Sequence, residues 1–150
     1  MHADVMIVHK GMWLKLKTMV RKLGLAGGVR FTGALPPERI AEELNRHRFL
    51  VVPSLWEEPF GIVALEGLAC GCVPIVSRRG GLPEAIGPHG YTFENGNVTD
   101  LARVLAHVLA HPEQARARLE GVEHHLGRHT ARRVAEGYVR VFEGLVGKCE

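Results

Sequence analysis

The sequence predicts an α/β fold in one domain over residues 1–150: a parallel sheet of about five strands flanked by helices. Strand-like and helix-like segments alternate along the chain, the pattern that βα units impose. One strand-like run, Val73 to Val76, is apolar without interruption, which suits a strand covered on both faces. Size agrees, since about 150 residues can bury one real core. A chain that is 46% hydrophobic and 23% charged also has the balance of a soluble globular domain.

Asp4 to Val8 reads as the first strand, and Trp13, Leu16, Val20 and Leu23 then give a helix its apolar stripe. Met12, Trp13, Lys15, Lys17, Arg21 and Lys22 make the same helix basic and amphipathic. It is either a core-facing helix with a wet basic back or a segment for an anionic membrane surface, and the βα context favours the first. Val29 to Thr32 is the second strand. Pro36-Pro37 suits a helix start, and a helix follows over about Glu38 to Arg46.

Phe49 to Val52 is a short buried strand leading into Pro53 and a loop rich in glutamate. A helix begins near Gly61, Val73 to Val76 is the fourth strand, and Tyr91 to Phe93 is a short fifth at a sheet edge. Asn97 caps the next helix with Asp100 at its third position, and Leu101, Val104, Leu105, Val108 and Leu109 recur at helical spacing. Pro112 ends that helix and starts another that runs to about His125. The last helix, roughly Thr130 to Val146, gathers Val134, Tyr138, Val141, Phe142 and Leu145 on one side.

Several function classes lose support on composition. A net charge of +3, spread over several helices with little aromatic interleaving, argues against nucleic-acid binding. No G-x-G-x-x-G follows the first strand, which disfavours a dinucleotide-dependent oxidoreductase. Cys70, Cys72 and Cys149 cannot build a disulfide framework, and Cys70 and Cys72 flank Gly71 where small buried side chains fit. His107/His111 and His125/His129 have a spacing that can hold a metal, but no third ligand is placed nearby, so they read as solvated helix faces and no metal is expected. Neither a leader peptide nor an apolar run of about 18 residues is present, and a reducing, cytoplasmic setting is expected.

The chemistry concentrates in Glu58-Pro59-Phe60-Gly61 and Glu66, two carboxylates eight positions apart around a Pro/Gly turn that opens a helix. That turn directs the first amides of the helix outward, with the positive end of its dipole behind them, which suits a phosphate. On the helix, Glu66 shares a face with Ile62, Val63, Ala69 and Cys70, and no Lys or Arg lies between Arg48 and Arg78. A carboxylate seated among such neighbours requires hydrogen-bond donors. It either finds a backbone amide, a distant arginine or the rim of the stripe, or it awaits ligand hydroxyls.

Pro53-Ser54-Leu55-Trp56-Glu57-Glu58-Pro59-Phe60-Gly61, then Glu66, then Gly80-Gly81-Leu82-Pro83-Glu84 resemble the donor-binding domain of retaining nucleotide-sugar glycosyltransferases, in particular glycosyltransferase family 4. The resemblance covers about Met12 to Val146 and implies a Rossmann-like sheet, the C-terminal half of the two-domain GT-B architecture. It further implies that Glu66 accepts hydrogen bonds from ribose hydroxyls and that Glu58, the glutamate directly before Pro-Phe-Gly, contacts the transferred sugar. Backbone amides of Phe60, Gly61 and Ile62 would face the distal phosphate or sugar, and Gly33-Ala34-Leu35 would pack the nucleobase. The implied substrate is a nucleotide diphosphate sugar, with no metal or other cofactor.

By the same resemblance, the chain begins after the Gly-Arg strand and the later Lys-Gly that neutralise the donor diphosphate, and the acceptor-binding N-terminal domain is absent, so a fragment inactive by itself is expected. The strand before Met1 would be the central one. Its absence would leave a gap in the sheet, at about 1 to 3 kcal/mol for each buried unpaired backbone group. Either the remaining strands close up or a second copy of the chain fills the slot.

Overall fold

The computed structural model describes residues 5–7 and 13–146. Four strands form one parallel sheet in chain order: β1 (Val5–Ile7), β2 (Phe49–Val52), β3 (Val73–Ser77) and β4 (Tyr91–Phe93). Between and after them run α1 (Trp13–Lys22), α2 (Pro37–Leu44), α3 (Ile62–Ala69), α4 (Leu82–Ile86), α5 (Val98–Ala110), α6 (Pro112–Ala117), α7 (Val122–Gly127) and α8 (Ala131–Val146). Val5 lies opposite Phe49, Phe49 opposite Val73, and Ile75 opposite Tyr91. The sheet is therefore closed up, with β1 directly beside β2 and no gap between them.

Successive side chains of a strand point to opposite faces, so β2 feeds two cores. Leu50 and Val52 join Ala64, Leu68, Val76, Leu82, Ile86 and Val122 on one face. Phe49 and Val51 join Val73, Ile75, Phe93, Val104, Val108 and Ala115 on the other. The all-apolar β2 and β3 are buried along their whole length, as their composition requires. On the first face α3 comes very close to β2, because a side chain at Gly67 would strike Leu50.

Val29 to Thr32, expected as a strand, is irregular and mostly exposed, so among the described residues the sheet has four strands and not five. The competing interaction is a charge pair. Glu43 of α2 is buried, and a carboxylate in that position needs a cation. Arg30 supplies it with two guanidinium hydrogen bonds, and Arg46 adds a third at 3.4 Å. Lys17 also stands 5.7 Å over the Phe31 ring. These side-chain contacts hold the segment against α1 and α2.

The helix expected from Pro112 through His125 is two helices, separated by a turn at Gly121 with φ +73°. Ala115 packs in one core and Val122 in the other, and a straight helix cannot reach both faces of the sheet. Asn97 caps α5 as its spacing predicts, its side chain accepting from the Asp100 amide at 3.0 Å. The stripe of α1 is less covered than expected: Leu16 and Val20 are half-buried, while Leu23 is exposed. α8 buries no residue at all, and Val134, Tyr138, Val141, Phe142 and Leu145 face outward. Met12 and Cys149 lie outside the described residues. No helix among the described residues is long and apolar enough to cross a membrane.

The Arg30 hydrogen bonds hold the Glu43 carboxyl below its ordinary pKa, outweighing the opposing effect of burial. A carboxylate depressed in the folded state stabilises the fold above its unfolded pKa, and this contribution disappears as pH falls through the folded value. Acid titration of stability, followed by circular dichroism, should therefore show a loss below the ordinary glutamate range that is smaller in Arg30→Ala.

Candidate functional site

Parallel strands bring their following loops to one edge of the sheet, and here three loops meet: 53–61 after β2, 78–81 after β3 and 94–97 after β4. In open α/β sheets this carboxyl edge is where ligands bind. The first two loops touch through their main chains. The Gly81 amide donates to the Glu58 carbonyl at 2.7 Å. A Cβ on Gly80 would lie 2.7 Å from the Glu58 nitrogen, and one on Gly81 would lie 2.7 Å from the Phe60 Cα. Only glycine fits in either place. At Gly80 the backbone also requires it, since φ is +60°.

Gly61 has the same double constraint. Its φ is +96°, and a side chain there would run into Leu82 of α4. It stands at the N-cap of α3 with no side chain capping the helix, so the first turn presents its backbone amides unsatisfied by a cap, at the positive end of the helix dipole. Phe60 is half-buried, Gly61 buried and Ile62 exposed. These three residues, singled out by sequence for their amides, form one continuous turn into the helix.

Glu58 is half-buried and accepts a hydrogen bond from Ser54 Oγ at 2.9 Å. Its neighbour Glu57 is exposed and pairs with Arg79 at 3.1 Å. The two adjacent glutamates are thus separated in role: one is tied to a surface arginine and the other is oriented by a hydroxyl that leaves its second oxygen open among the described residues. Ser54 and the Arg78-Arg79 pair are site features that sequence reasoning did not single out. The signal for the arginines was their position immediately before Gly80-Gly81 at the end of a buried strand.

Glu66 is exposed and makes no hydrogen bond or ion pair among the described residues. The expectation that it sits among buried apolar neighbours is corrected. α3 buries Ala64, Gly67 and Leu68, and Glu66 lies on the opposite side with Ile62, 68% exposed, and Ala69. Its neighbours are apolar, as read, but that face is open to solvent. Gly33-Ala34-Leu35 forms a surface loop between α1 and α2, with Gly33 at φ +72°. No described hydrogen bond joins this loop to residues 58–66, and Glu58, Phe60, Gly61, Ile62 and Glu66 lie together in the loop after β2 and along α3.

The histidine pairs are close, with ring centroids 4.9 Å apart in both His107/His111 and His125/His129. No group of three potential metal ligands occurs among the described residues. Cys72 is buried and donates its thiol to the Leu44 and His47 carbonyls, and burial pushes its pKa up to about 12. Such a thiol packs and does not react.

Residues 3–121 match the sequence model of the glycosyl transferases group 1. The chain belongs to that family. Among curated members, it is 30% identical over 133 residues to the D-inositol 3-phosphate glycosyltransferase of Corynebacterium jeikeium, covering 87% of this chain and 32% of that protein. It is 33% identical over 136 residues to D-inositol 3-phosphate glycosyltransferase 2 of Catenulispora acidiphila, again 87% of this chain and 32% of the relative. This group 1 chain thus spans about a third of the length of the curated relatives it matches.

Solved structures agree on the fold. Sucrose-phosphate synthase from Thermosynechococcus elongatus superposes with a TM-score of 0.78 at 24% identity, covering 96% of this chain and 38% of that one. Anabaena HepE in complex with UDP-glucose gives 0.73 at 20% identity, covering 95% of this chain and 40% of its own. The α/β architecture of this group 1 member is that of the GT-B glycosyltransferases.

Because the Gly81 contact is backbone against backbone, Gly81→Ala should displace the 58–61 loop and cost about 1–3 kcal/mol, the range for forced overpacking. Gly27, which has open space around it, should accept alanine within about 0.5 kcal/mol. Urea unfolding of the two variants checks the difference.

Proposed function

We propose that the chain is the donor-binding part of a retaining, family 4 glycosyltransferase, taking a nucleotide diphosphate sugar and supporting transfer of its hexose to an acceptor. The observation that carries this reading is the open turn of α3: an uncapped helix start, fixed by Gly61 and by the Gly80-Gly81 contact, flanked by Glu58 and followed by Glu66, unpaired among the described residues. Each part answers a chemical demand of the ligand. Ribose hydroxyls donate to an ionised carboxylate on the outer side of α3, which is Glu66. Hydroxyls of the sugar donate to Glu58, whose orientation Ser54 assists. The amides of Phe60, Gly61 and Ile62, with the helix dipole behind them, stabilise negative charge on the distal phosphate as the sugar departs.

In this reading the reaction retains anomeric configuration by displacement on one face, with the departing phosphate taking the acceptor proton, and needs no metal. Gly33-Ala34-Leu35 receives the nucleobase through its backbone. The partners are the nucleotide sugar and an N-terminal acceptor domain, in a cytoplasmic protein. The curated relatives are about three times as long as the chain, which leaves room for such a domain in them. HepE, of the same fold, is described in complex with UDP-glucose.

A second reading, a non-catalytic nucleotide-binding or interaction module, is favoured by one specific feature: the outward apolar face of α8, where Tyr138 and Phe142 are 63% and 60% exposed. Incubation of the full-length gene product with nucleotide sugars and candidate acceptors separates the two, because only a transferase releases nucleoside diphosphate.

Titration of the chain with UDP, GDP and ADP by calorimetry should show weak binding to at least one. Glu66→Ala should reduce that affinity by about tenfold or more, since hydrogen bonds to a charged acceptor contribute about 1.5–3 kcal/mol. Equal affinity in the variant would remove Glu66 from the site.

A further inference from the structure

A line of rings connects α4 and α7 to the loop that carries Glu58. Its fixed member is His125 of α7, which is 3% exposed. Nε2 of this ring lies 2.7 Å from the Ala85 carbonyl, and Nδ1 lies 2.9 Å from Nη2 of Arg128. A carbonyl only accepts and a guanidinium only donates, so Nε2 donates to Ala85 and Nδ1 accepts from Arg128. Gly87 makes room for the ring, since a Cβ there would lie 2.8 Å from it. His89 packs 5.2 Å away, its own Nδ1 2.7 Å from the Arg118 carbonyl.

His129, two residues past the end of α7, meets His125 edge-on with centroids 4.9 Å apart and meets Phe60 at 5.3 Å. It is half-buried, and its side chain makes no hydrogen bond among the described residues, so its recorded side-chain contacts there are with the His125 and Phe60 rings. Phe60 stands directly between Glu58-Pro59 and Gly61, so what fixes its ring also fixes the direction of the first amides of α3.

We infer that His129 is a positioning residue for the Glu58–Gly61 loop: it braces Phe60 against the rigid His125 and so sets the geometry of the donor site from outside the sheet. Its functional consequence rests on the donor-site reading above, while the bracing itself does not. The groups facing His129 are His125 of α7, Arg128 just past its end and Glu84 of α4. Burial, the largest cause, holds its pKa below the ordinary histidine value, with the Arg128 charge adding to it and Glu84 opposing. The neutral ring therefore packs on Phe60 at neutral pH. As pH falls through the lowered value, the ring takes a proton, draws water to itself and leaves Phe60 unbraced.

The test is a pH titration of the nucleotide-free chain by NMR, following the Phe60 and Gly61 amides in wild type, His129→Phe and His129→Ala. In the wild type both amides should titrate with the His129 ring, at a midpoint below the ordinary value of about 6.5. His129→Phe keeps a ring without the proton, so the titration should vanish while the neutral-pH signals stay near wild type. His129→Ala should shift them at every pH. At neutral pH, UDP affinity should fall about two- to tenfold in the alanine variant, the size of an aromatic pair, and be restored by phenylalanine. Amides that ignore the His129 titration, or that are unmoved in His129→Ala, overturn the bracing. A wild type that binds no nucleotide would instead remove the donor reading, and the amide titration would still decide the role of His129.

Discussion

Main chain resting on main chain is the constraint from which the rest of the site follows. At Gly80 and Gly81 the turn after β3 lies directly against Glu58, Pro59 and Phe60, with one amide-to-carbonyl bond of 2.7 Å and no space for a side chain between them. Loops on a sheet edge are ordinarily the mobile part of an α/β domain. Here the loop after one strand is braced by the loop after the next, and Gly61 locks the junction further by admitting Leu82 of α4 beneath the start of α3. A half-buried carboxylate and a set of helix amides are thereby held in a fixed relation.

The sheet supplies the rigidity behind this edge. β2 and β3 are buried on both faces, and the two cores they divide are joined around the sheet by α6 and α7, whose break at Gly121 lets Ala115 serve one face and Val122 the other. α7 then returns to the functional edge, where His125 bonds to the α4 backbone and His129 meets Phe60. Packing on the far side of the domain is in this way continuous with the geometry of the site.

How much the sequence revealed depended on whether a property was local. The uninterrupted apolar runs at 49–52 and 73–76 identified the two buried strands, and the Asn97/Asp100 spacing identified a cap, because each is decided within a few residues. The order Glu58-Pro59-Phe60-Gly61, Glu66, Gly80-Gly81 singled out the candidate elements, and the structure brings the two glycine-bearing turns into contact. Exposure was not legible. Periodicity says which residues share a helix face, as Glu66 does with Ile62 and Ala69, but whether that face is covered depends on distant packing, and here it is open. The same gap separates the apolar stripes of α1 and α8 from the core they seemed made for. Val29–Thr32 failed for a related reason: its strand character was local, whereas the demand of buried Glu43 for Arg30 was not.

The central claim is that this braced edge receives the phosphates and ribose of a nucleotide sugar. The most direct measurement is an NMR map of amide shifts on addition of UDP to the chain. The largest shifts should fall on Phe60, Gly61, Ile62 and the first turns of α3 through Glu66. Shifts centred elsewhere, for instance on the opposite edge of the sheet around Phe49, Val73 and Arg116, would contradict it.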